Sequence, residues 1–506
     1  TYFIATTGSD SSNGQESTPY KTIQHGINAA WNGDTVLIAP GVYEENIDII
    51  DKNITLGSYF ITTQDTNYIA QTVISGGLDI NGLDSTSFIG GFSIKDDNNG
   101  GFFIDNSDGL SISHMHIERT KGLHVLSSNV TANDLTFHDN YNNANNRGGA
   151  ISILGSDVYL SQVVIDSNLS YYNSGGIYAL GSFVQMDSVS ITRNVLDVNT
   201  GGSGGIYFGS SGTHLLEVSN SQIKHNIGYD GGGIKIYDAM LNLTNVQIDS
   251  NLAHSGGGIL STYGNINITE STISGNHASE VQGGGIYEQY GKLSIDYSII
   301  QHNSANYKGG GISIHHEHDD DSFSLENCLI TDNSTFSYNS TNEGGAGIYL
   351  YGGNADQTYP IIHCSIANNL SGSYGGGILK AGSGIIELKN SIIWHNASDY
   401  SSSSIYGGEI IYISSNVQDK TESLNTDPLS VDNYNGDYRL SDYSPSIGTG
   451  TIEDVPLVDL DGNVRPQPDG SNPDMGAYEN PLGERLTGAT YFIATTGSDS
   501  SNGQES

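Results

Sequence analysis

The sequence predicts an all-β parallel β-solenoid, because two short motifs recur in phase along most of the chain. The first motif, Gly-Gly-x-Ile with x often glycine or absent, places isoleucine at positions 151, 177, 206, 234, 259, 286, 312, 348, 378 and 410. The second motif, Ile/Phe-x-x-Asn, places ten asparagines at a mean spacing of (396 − 140)/9, about 28 residues. Apolar and polar residues alternate around both motifs, as in residues 151–153, which is typical of short half-buried strands.

Each motif is expected to form a column as successive coils stack about 4.8 Å apart. The glycine pairs mark a corner that needs a positive φ or a close backbone approach. The asparagines are expected to form a structural ladder at the opposite corner, where their side chains hydrogen-bond the turn backbone. The ladder comprises Asn140, Asn168, Asn194, Asn226, Asn251, Asn276, Asn303, Asn333, Asn369 and Asn396. Roughly 15 coils are expected at this period.

Both cysteines, Cys328 and Cys364, occupy one interior column on consecutive coils. Buried free thiols are the favoured interpretation. A disulfide is the alternative, although direct stacking on parallel strands orients the two Cβ atoms poorly for it.

The two ends of the chain are expected to be caps. Ile23, Ile27 and Ala30 share one helical face, and Gly33 follows as a stop signal, so a short capping helix is predicted there. Near the other end both motifs disappear while Pro, Asp and Asn become frequent, which predicts an irregular cap. The predicted organisation is an N-terminal cap strand and helix (1–35), a parallel β-helix (36–425), a C-terminal cap (426–480), a linker (481–489) and the start of the next repeat unit (490–506).

Residues 490–506 repeat residues 1–17 without a difference, so a second unit begins 489 residues after the first. Two interpretations stay open: a covalent tandem array, or subunits that each donate a strand to the next by β-augmentation. In both cases the expected partner is another copy of the same unit. The predicted assembly residues are Tyr2, Phe3, Ile4, Tyr491, Phe492 and Ile493.

The charge of the chain narrows the range of partners. Seventeen Lys and Arg residues face 56 Asp and Glu residues, for a formal net charge of −39. Such a surface repels phosphate backbones and anionic lipid, so nucleic-acid binding is not expected. No run of about 18 apolar residues occurs, so membrane insertion is not expected either.

Three parts of the sequence resemble known extracellular proteins. The opening GSDSSNGQESTPYKTIQHGINAAWNGDTVLIAPGVYEE resembles the start of secreted bacterial right-handed parallel β-helix proteins of the pectate-lyase-like superfamily. The closing segments DPL, GDYRL, SPSIGTG, DLDGNVRP and PDMGAYE resemble the C-terminal segment of surface β-helix proteins of the choice-of-anchor type. The central GG-A/G-I and I/F-x-x-N repeats are similar to those of chlamydial polymorphic outer-membrane proteins, which are adhesins. These resemblances imply a right-handed β-helix in an extracellular or cell-surface setting, a fold that carries lyases, hydrolases, adhesins and inert spacers alike.

Candidate metal ligands come from two places in the sequence. The segment between the motifs lengthens from 14 to 18 residues in two consecutive coils, whose loops are expected to emerge side by side. Carboxylate and imidazole groups of the first loop suggest Ca²⁺ or a transition metal, and the oxygen ligands of a turn near the C-terminus suggest Ca²⁺. A hydrated loop and an ordinary cap turn are the alternatives. The residues are His316, His318, Asp319, Asp320, Asp321, Asp459, Asp461 and Asn463.

Four tyrosines directly follow a motif isoleucine and are expected to point outward, where they would contact a glycan or another copy of the chain. They are Tyr178, Tyr207, Tyr287 and Tyr349, and cross-coil packing is the alternative. The outward column directly before the ladder, which runs from Arg119 to His395, shows no cluster of acids beside a base. No catalytic residue is therefore predicted.

The favoured function is an extracellular structural or adhesive protein that forms a tandem or end-to-end fibre of β-helical units on or outside a bacterial cell. The alternative is a carbohydrate-binding array, or a polysaccharide lyase or hydrolase that acts on extracellular glycans. A polysaccharide or surface glycan would then be the partner.

Overall fold

The computed structural model describes residues 1–96, 100–144, 147–197, 201–337, 342–400 and 404–487, and the chain divides into two units, 1–254 and 255–506. The fold is a right-handed parallel β-solenoid of about 13 turns. The predicted fold class is therefore confirmed. The turns are fewer than the 15 expected because the residues before Ile47 and after Val417 form caps instead of complete coils.

Each coil contributes three main strands, which stack in parallel on the equivalent strands of neighbouring coils and form face A, face B and face C. In the first unit, face A contains Ile47–Ile50, Leu78–Asn81, Phe102–Asp105, Leu123–Leu126, Ile151–Leu154, Ile177–Leu180, Ile206–Gly209 and Ile234–Tyr237. Face B contains Tyr2–Ile4, Thr35–Ile38, Thr55–Ser58, Phe88–Gly90, Asp157–Ser161, Phe183–Asp187, Leu215–Ser219 and Met240–Thr244. Face C contains Gly41–Tyr43, Thr72–Ile74, Ser93–Lys95, Val164–Asp166, Ser190–Thr192, Gln222–Lys224 and Gln247–Asp249. Two long strands, Asp108–Glu118 and Asn129–His138, run through both face B and face C.

The second unit has the same three faces. Its face A contains Ile259–Thr262, Ile286–Gln289, Ile312–His316, Ile348–Gly352, Ile378–Ala381 and Ile405–Tyr406. Face B contains Asn265–Thr269, Lys292–Asp296, Ser322–Glu326, Thr358–Ile362, Ile385–Lys389 and Glu409–Ile413. Face C contains Thr272–Ser274, Ile299–Gln301, Leu329–Thr331, Ser365–Ala367, Ile392–Trp394 and Asn416–Val417. Two-residue strands follow most ladder asparagines: Tyr141–Asn142, Leu169–Ser170, Val195–Leu196 and Leu252–Ala253 in the first unit, and His277–Ala278, Ser304–Ala305, Ser334–Thr335, Leu370–Ser371 and Ala397–Ser398 in the second.

The two repeating motifs explain the corners and the core. Alternate strand residues such as Ile151 and Ile153 are completely buried, which removes apolar surface from water along the whole axis. At the glycine corner, a Cβ on Gly205 would lie 2.4 Å from the carbonyl oxygen of Gly233 in the next coil. Only glycine allows the stacked coils to approach this closely. The last motif isoleucine is an exception, because Ile405 pairs with Ile378 in face A, whereas Ile410 lies in face B.

The ladder asparagines are buried and linked side chain to side chain. In the first unit, Asn168 Nδ2 donates to Asn194 Oδ1 at 2.9 Å, and Asn194 Nδ2 donates to Asn226 Oδ1 at 3.0 Å. The same links join Asn276, Asn303, Asn333, Asn369 and Asn396 in the second unit. Each side-chain amide also forms hydrogen bonds with backbone groups. The ladder therefore satisfies hydrogen-bond donors and acceptors that face the interior.

The first coil is covered by a helix, Ile23–Ala29, whose N-cap is Thr22. Gly26 lets this helix lie directly on Ile4, since a Cβ there would come within 2.4 Å of Ile4 Cδ1. Two further short helices, Phe60–Thr63 and Asn67–Gln71, were not predicted. No helix in the described part of the chain combines the length and the apolar character that crossing a lipid bilayer requires.

At the other end, an antiparallel pair, Ser430–Asp432 with Asp437–Leu440, flanks a 3₁₀ turn at Asn433–Asn435. The segment that follows folds back over face C of the second unit. Tyr438, Ala477 and Tyr478 pack on Leu329 and Ala367 of that face. A neighbouring cluster joins Leu440, Ile447 and Met475 to Ile392 and Trp394. The cap thereby removes apolar outward residues of face C from water.

Candidate functional site

A groove with a volume of about 340 Å³ lies on the outer side of face C in the first unit. Its lining comes from one short helix and four consecutive coils: Ala70, Val73, Ser93, Lys95, His116, Glu118, Thr136, His138 and Asp139. We call it the face C groove. Apart from the valine, the outward residues of face C that line the groove are polar and charged, in contrast to the apolar residues under the C-terminal cap.

The charged lining arises from strand register. The last residues of successive face C strands are Cα partners in the order Lys95, Glu118, His138, Asp166, Thr192 and Lys224. Because parallel coils stack about 4.8 Å apart, one hydrogen-bonding group is presented per coil. Lys95 Nζ lies 2.5 Å from Glu118 Oε1, and Arg193 Nη2 lies 2.6 Å from Asp166 Oδ2.

His138 lies between two carboxylates. Its Nδ1 is 3.0 Å from Asp139 Oδ2, and its Nε2 is 3.8 Å from Asp166 Oδ2. Both ring nitrogens therefore face carboxylate oxygens, while the side chain stays 47% exposed.

Asp166 is held in its ionised form. Burial alone would raise the pKa of its carboxyl, but hydrogen bonds from Thr192 and Arg193, together with the Arg193 charge, lower this pKa below its usual value. Thr192 Oγ1 donates to Asp166 Oδ1 at 2.6 Å. The site therefore presents a fixed negative group beside an exposed guanidinium.

Sequence reasoning overlooked most of this groove. It considered the column directly before the ladder, which supplies Asp139 and, beyond the groove, Arg193. It did not consider the column one residue earlier, which supplies Glu118 and His138 and, beyond the groove, Asp166. The same period would have exposed that second column. The groove also depends on the chain bringing together residues that are 20–30 positions apart.

The predicted metal loop of the second unit is arranged differently from the expectation. His316 is completely buried, with Nε2 2.9 Å from Glu288 Oε2 and Nδ1 3.3 Å from the Tyr359 hydroxyl. Burial raises the pKa of the Glu288 carboxyl. His316 turns inward because its strand, Ile312–His316, continues beyond the usual length and its inner positions face the core.

The remaining residues of that loop do not converge on one point. Asp321 Oδ2 accepts the backbone N–H groups of Glu317 and His318, each at 2.9 Å, and so closes the turn. His318, Asp319 and Asp320 are exposed. The two lengthened loops do lie side by side, since Asn354 Nδ2 donates to Asp319.

The C-terminal candidates form a turn. Asp459 Oδ1 accepts from the backbone N–H groups of Asp461 and Asn463 at 3.0 and 2.7 Å, and Asp461 pairs with Arg439. Among the described residues, no group of three or more His, Cys, Asp or Glu side chains is arranged to hold a metal ion. The metal assignment therefore stays a prediction at both places, although Asp321 and Asp459 accept turn N–H groups and Asp461 pairs with Arg439 in this structure.

The four tyrosines do not form an exposed face. Tyr178 is only 4% exposed, Tyr287 and Tyr349 are buried as well, and Tyr207 is half-buried. They point away from the axis as expected, but neighbouring side chains pack against them. Lys308 Nζ lies 4.8 Å from the centre of the Tyr349 ring, and the ring centres of Tyr178 and Tyr207 are 5.2 Å apart. Burial raises the pKa values of Tyr178 and Tyr349 to about 12.

The other predicted residues have defined places. Cys328 and Cys364 are buried free thiols. Tyr2–Ile4 forms a strand that pairs in parallel with Val36–Ile38. Tyr491, Phe492 and Ile493 lie outside the described residues.

Comparisons with known proteins concern the fold. Residues 181–375 match the family described as the right handed beta helix region. Residues 6–49 match a family of proteins of unknown function, DUF1565. No curated protein matches the chain.

Several solved structures are similar in fold at low sequence identity. A rhamnogalacturonan lyase has a TM-score of 0.34 and 13% identity, over 63% of this chain and 83% of that chain. A mannuronic acid specific polysaccharide family 6 lyase from human gut microbiota has a TM-score of 0.34 and 12% identity, over 66% and 83%. A pectate lyase has a TM-score of 0.21 and 14% identity, over 94% and 96%.

Proposed function

We propose that this is an extracellular protein that binds a polysaccharide along the face C groove, and that uronate-bearing chains are its preferred class of ligand. The observation that carries the proposal is the register column of charged and hydroxyl groups from Lys95 to Lys224. Hydroxyl-rich polymers need alternating donors and acceptors, which paired carboxylates and cations supply.

The local charge supports an acidic ligand. The whole chain has 17 cationic residues, and four of them, Lys95, Arg119, Arg193 and Lys224, occupy the two adjoining columns of this face. They offset the acidic residues there, so a carboxylate-bearing sugar meets less repulsion than elsewhere on this acidic protein. Arg193 is well placed to recognise such a carboxylate, because its side chain is 63% exposed while one nitrogen is held by Asp166.

Calorimetric titration with polygalacturonate, alginate and a glucuronan tests this proposal. For the polymer that binds, Arg193→Gln and Lys95→Gln are each expected to weaken affinity about tenfold, which corresponds to about 1.4 kcal/mol. Binding should also weaken as salt is added. Lys21→Gln, which removes an exposed lysine outside the groove, is the matched control and should bind like the parent.

Equal affinity of the parent and both groove variants, or no binding to any of the three polymers, would refute the proposal. The same samples should be assayed for unsaturated and reducing sugar ends. Release of such ends by the parent, together with its loss in His138→Gln, would show that His138 supports cleavage in addition to binding.

Assembly into a fibre is a second candidate function, and one observation favours it. The strand Tyr2–Ile4 is built into face B, and its sequence recurs at 491–493. We propose that the recurring segment forms the first strand of a following unit. Electron microscopy of native material should then show filaments, and denaturing mass measurement should separate covalent multiples of the unit from strand-donating subunits. Single, unassociated particles at high concentration would contradict this proposal.

A further inference from the structure

An exposed aromatic strip runs across four coils of the second unit. It consists of Tyr263, Tyr290, His315 and Tyr351, which lie at or just beyond the ends of four consecutive face A strands. Tyr263 is 47% exposed and Tyr351 is 40% exposed, while the two inner rings are half-buried. These rings are distinct from the covered tyrosines that follow the motif isoleucines.

The rings contact one another in sequence along the strip. The ring centres of Tyr263 and Tyr290 are 5.4 Å apart in a stacked arrangement, those of Tyr290 and His315 are 5.2 Å apart, and those of His315 and Tyr351 are 4.8 Å apart. His318 adds a further ring 5.8 Å from Tyr290.

The backbone holds this spacing. Tyr263 N donates to the carbonyl oxygen of Gln289 at 2.8 Å, and Tyr290 N donates to that of His315 at 2.9 Å. Both tyrosines have positive φ values, of 57° and 58°, which place the side chains at the corner instead of on the flat face of the sheet. Bulky residues rarely adopt this backbone conformation, so placing two tyrosines in it costs conformational free energy.

Carboxylates border the strip. Glu317 Oε1 lies 2.9 Å from His315 Nε2, and Asp319 and Asp320 are exposed in the same loop. These groups accept hydrogen bonds and repel anions, so they disfavour a nucleic acid, a polyuronate or a second copy of this acidic chain. An uncharged saccharide fits both the aromatic rings and the carboxylates that border them. Its C–H faces stack on aromatic rings, and its hydroxyl groups donate hydrogen bonds to carboxylates.

We propose that the aromatic strip is a second carbohydrate-binding site, specific for a neutral polysaccharide whose sugar rings pack on the exposed side of the strip, chiefly at Tyr263 and Tyr351, with Tyr290 holding the rings in place. It does not depend on the face C groove, which presents ion pairs and is proposed to take acidic chains. The two sites would let one chain hold two chemically different glycans.

Native gel electrophoresis of the full chain tests the strip, in gels that contain xylan, glucomannan, mixed-linkage β-glucan or, for comparison, polygalacturonate. We expect at least one neutral polymer to retard the parent, and Tyr290→Ala to weaken that retardation at least tenfold. Tyr290→Phe keeps the ring and should retain the binding. Tyr237→Ala, which removes a 45% exposed tyrosine from the end of a face A strand in the first unit, is the matched control and should bind like the parent.

Arg193→Gln should also leave the neutral polymer bound, which separates this site from the groove. If Tyr290→Ala lowers the thermal midpoint, the more exposed Tyr351→Ala replaces it, with the same expected loss. The proposal is overturned if none of the three neutral polymers retards the parent, if only polygalacturonate does so, or if the folded tyrosine-to-alanine variant binds like the parent.

Discussion

Arg465→Met is expected to destabilise the C-terminal cap by about 3–5 kcal/mol, because it leaves buried carboxylates without their cation. Arg465 is almost fully buried, with Nε 3.2 Å from Glu479 Oε2 and Nη1 donating to the carbonyl oxygen of Gly476 at 3.0 Å. Nη1 also contacts Nδ1 of His363, whose pKa is lowered to about 2 by burial and by the arginine charge, so the imidazole is neutral. The Asp474 carboxyl also interacts electrostatically with Arg465 and with Glu479.

Denaturant unfolding, with hydrogen exchange of the amides between residues 457 and 480, measures this loss. Arg439→Met is the matched control, because Arg439 pairs with Asp461 at the surface and its loss should cost less than about 1 kcal/mol. Adding Glu479→Gln to Arg465→Met should recover part of the stability, since it removes the stranded charge. A single variant as stable as the parent would contradict the assignment of Arg465 as the cation that neutralises the cap.

The pH dependence of the cap follows from Asp474. Burial and the neighbouring Glu479 raise the pKa of Asp474 from 3.8 to about 7. A carboxyl whose pKa is higher in the folded state takes up a proton on folding at intermediate pH, so its contribution to stability falls as the pH rises from 3.8 towards 7. The cap should therefore be more stable at pH 5 than at pH 8, and the difference should widen in Arg465→Met.

Asn303→Ala is expected to destabilise the second unit by about 3–5 kcal/mol. Asn303 Nδ2 donates to the carbonyl oxygen of Ile273 at 2.9 Å and to Asn333 Oδ1 at 3.0 Å, while its Oδ1 accepts from Asn276 N and Nδ2 at 3.0 and 2.9 Å. Alanine would leave several buried hydrogen-bonding groups without a partner. Each such group costs about 1–3 kcal/mol of stability before neighbouring amides reorient.

Chemical denaturation followed by circular dichroism measures this effect. Asn265→Ala changes an exposed asparagine on a face B strand of the same unit and should alter stability by no more than about 0.5 kcal/mol. If the two variants unfold at the same denaturant concentration, the ladder does not contribute as its hydrogen bonds suggest.

The local sequence patterns predicted the solenoid because the contacts that each pattern makes between neighbouring coils are the same from one coil to the next. Alternation places Ile151 and Ile153 inside, and the period stacks Asn168 on Asn194, whatever the loops do. The helix at Ile23–Ala29 was also predictable, because its apolar spacing and its stop signal are local. Its neighbours, Phe60–Thr63 and Asn67–Gln71, are too short to show a helical period.

The candidate sites were less accessible to sequence reasoning. Periodicity shows that Tyr178 points away from the axis, but it does not show that the ring is almost fully buried and packs against Tyr207. It likewise does not show that His316 turns inward to meet Glu288, since that depends on how far one strand continues. The face C groove needed the register that brings Lys95, Glu118 and His138 together.

The period and the composition of the sequence thus account for the fold class, the buried columns, the corner glycines and the asparagine ladder. A short strand pattern that repeats from coil to coil can bury its apolar side chains in one way only, by stacking the coils. The folded chain was needed to show which outward side chains remain in water. Cap and loop paths cover face C residues such as Leu329 in one unit and leave His138 exposed to a groove in the other. These paths depend on irregular, non-repeating segments, whose contacts are long-range and leave no period in the sequence.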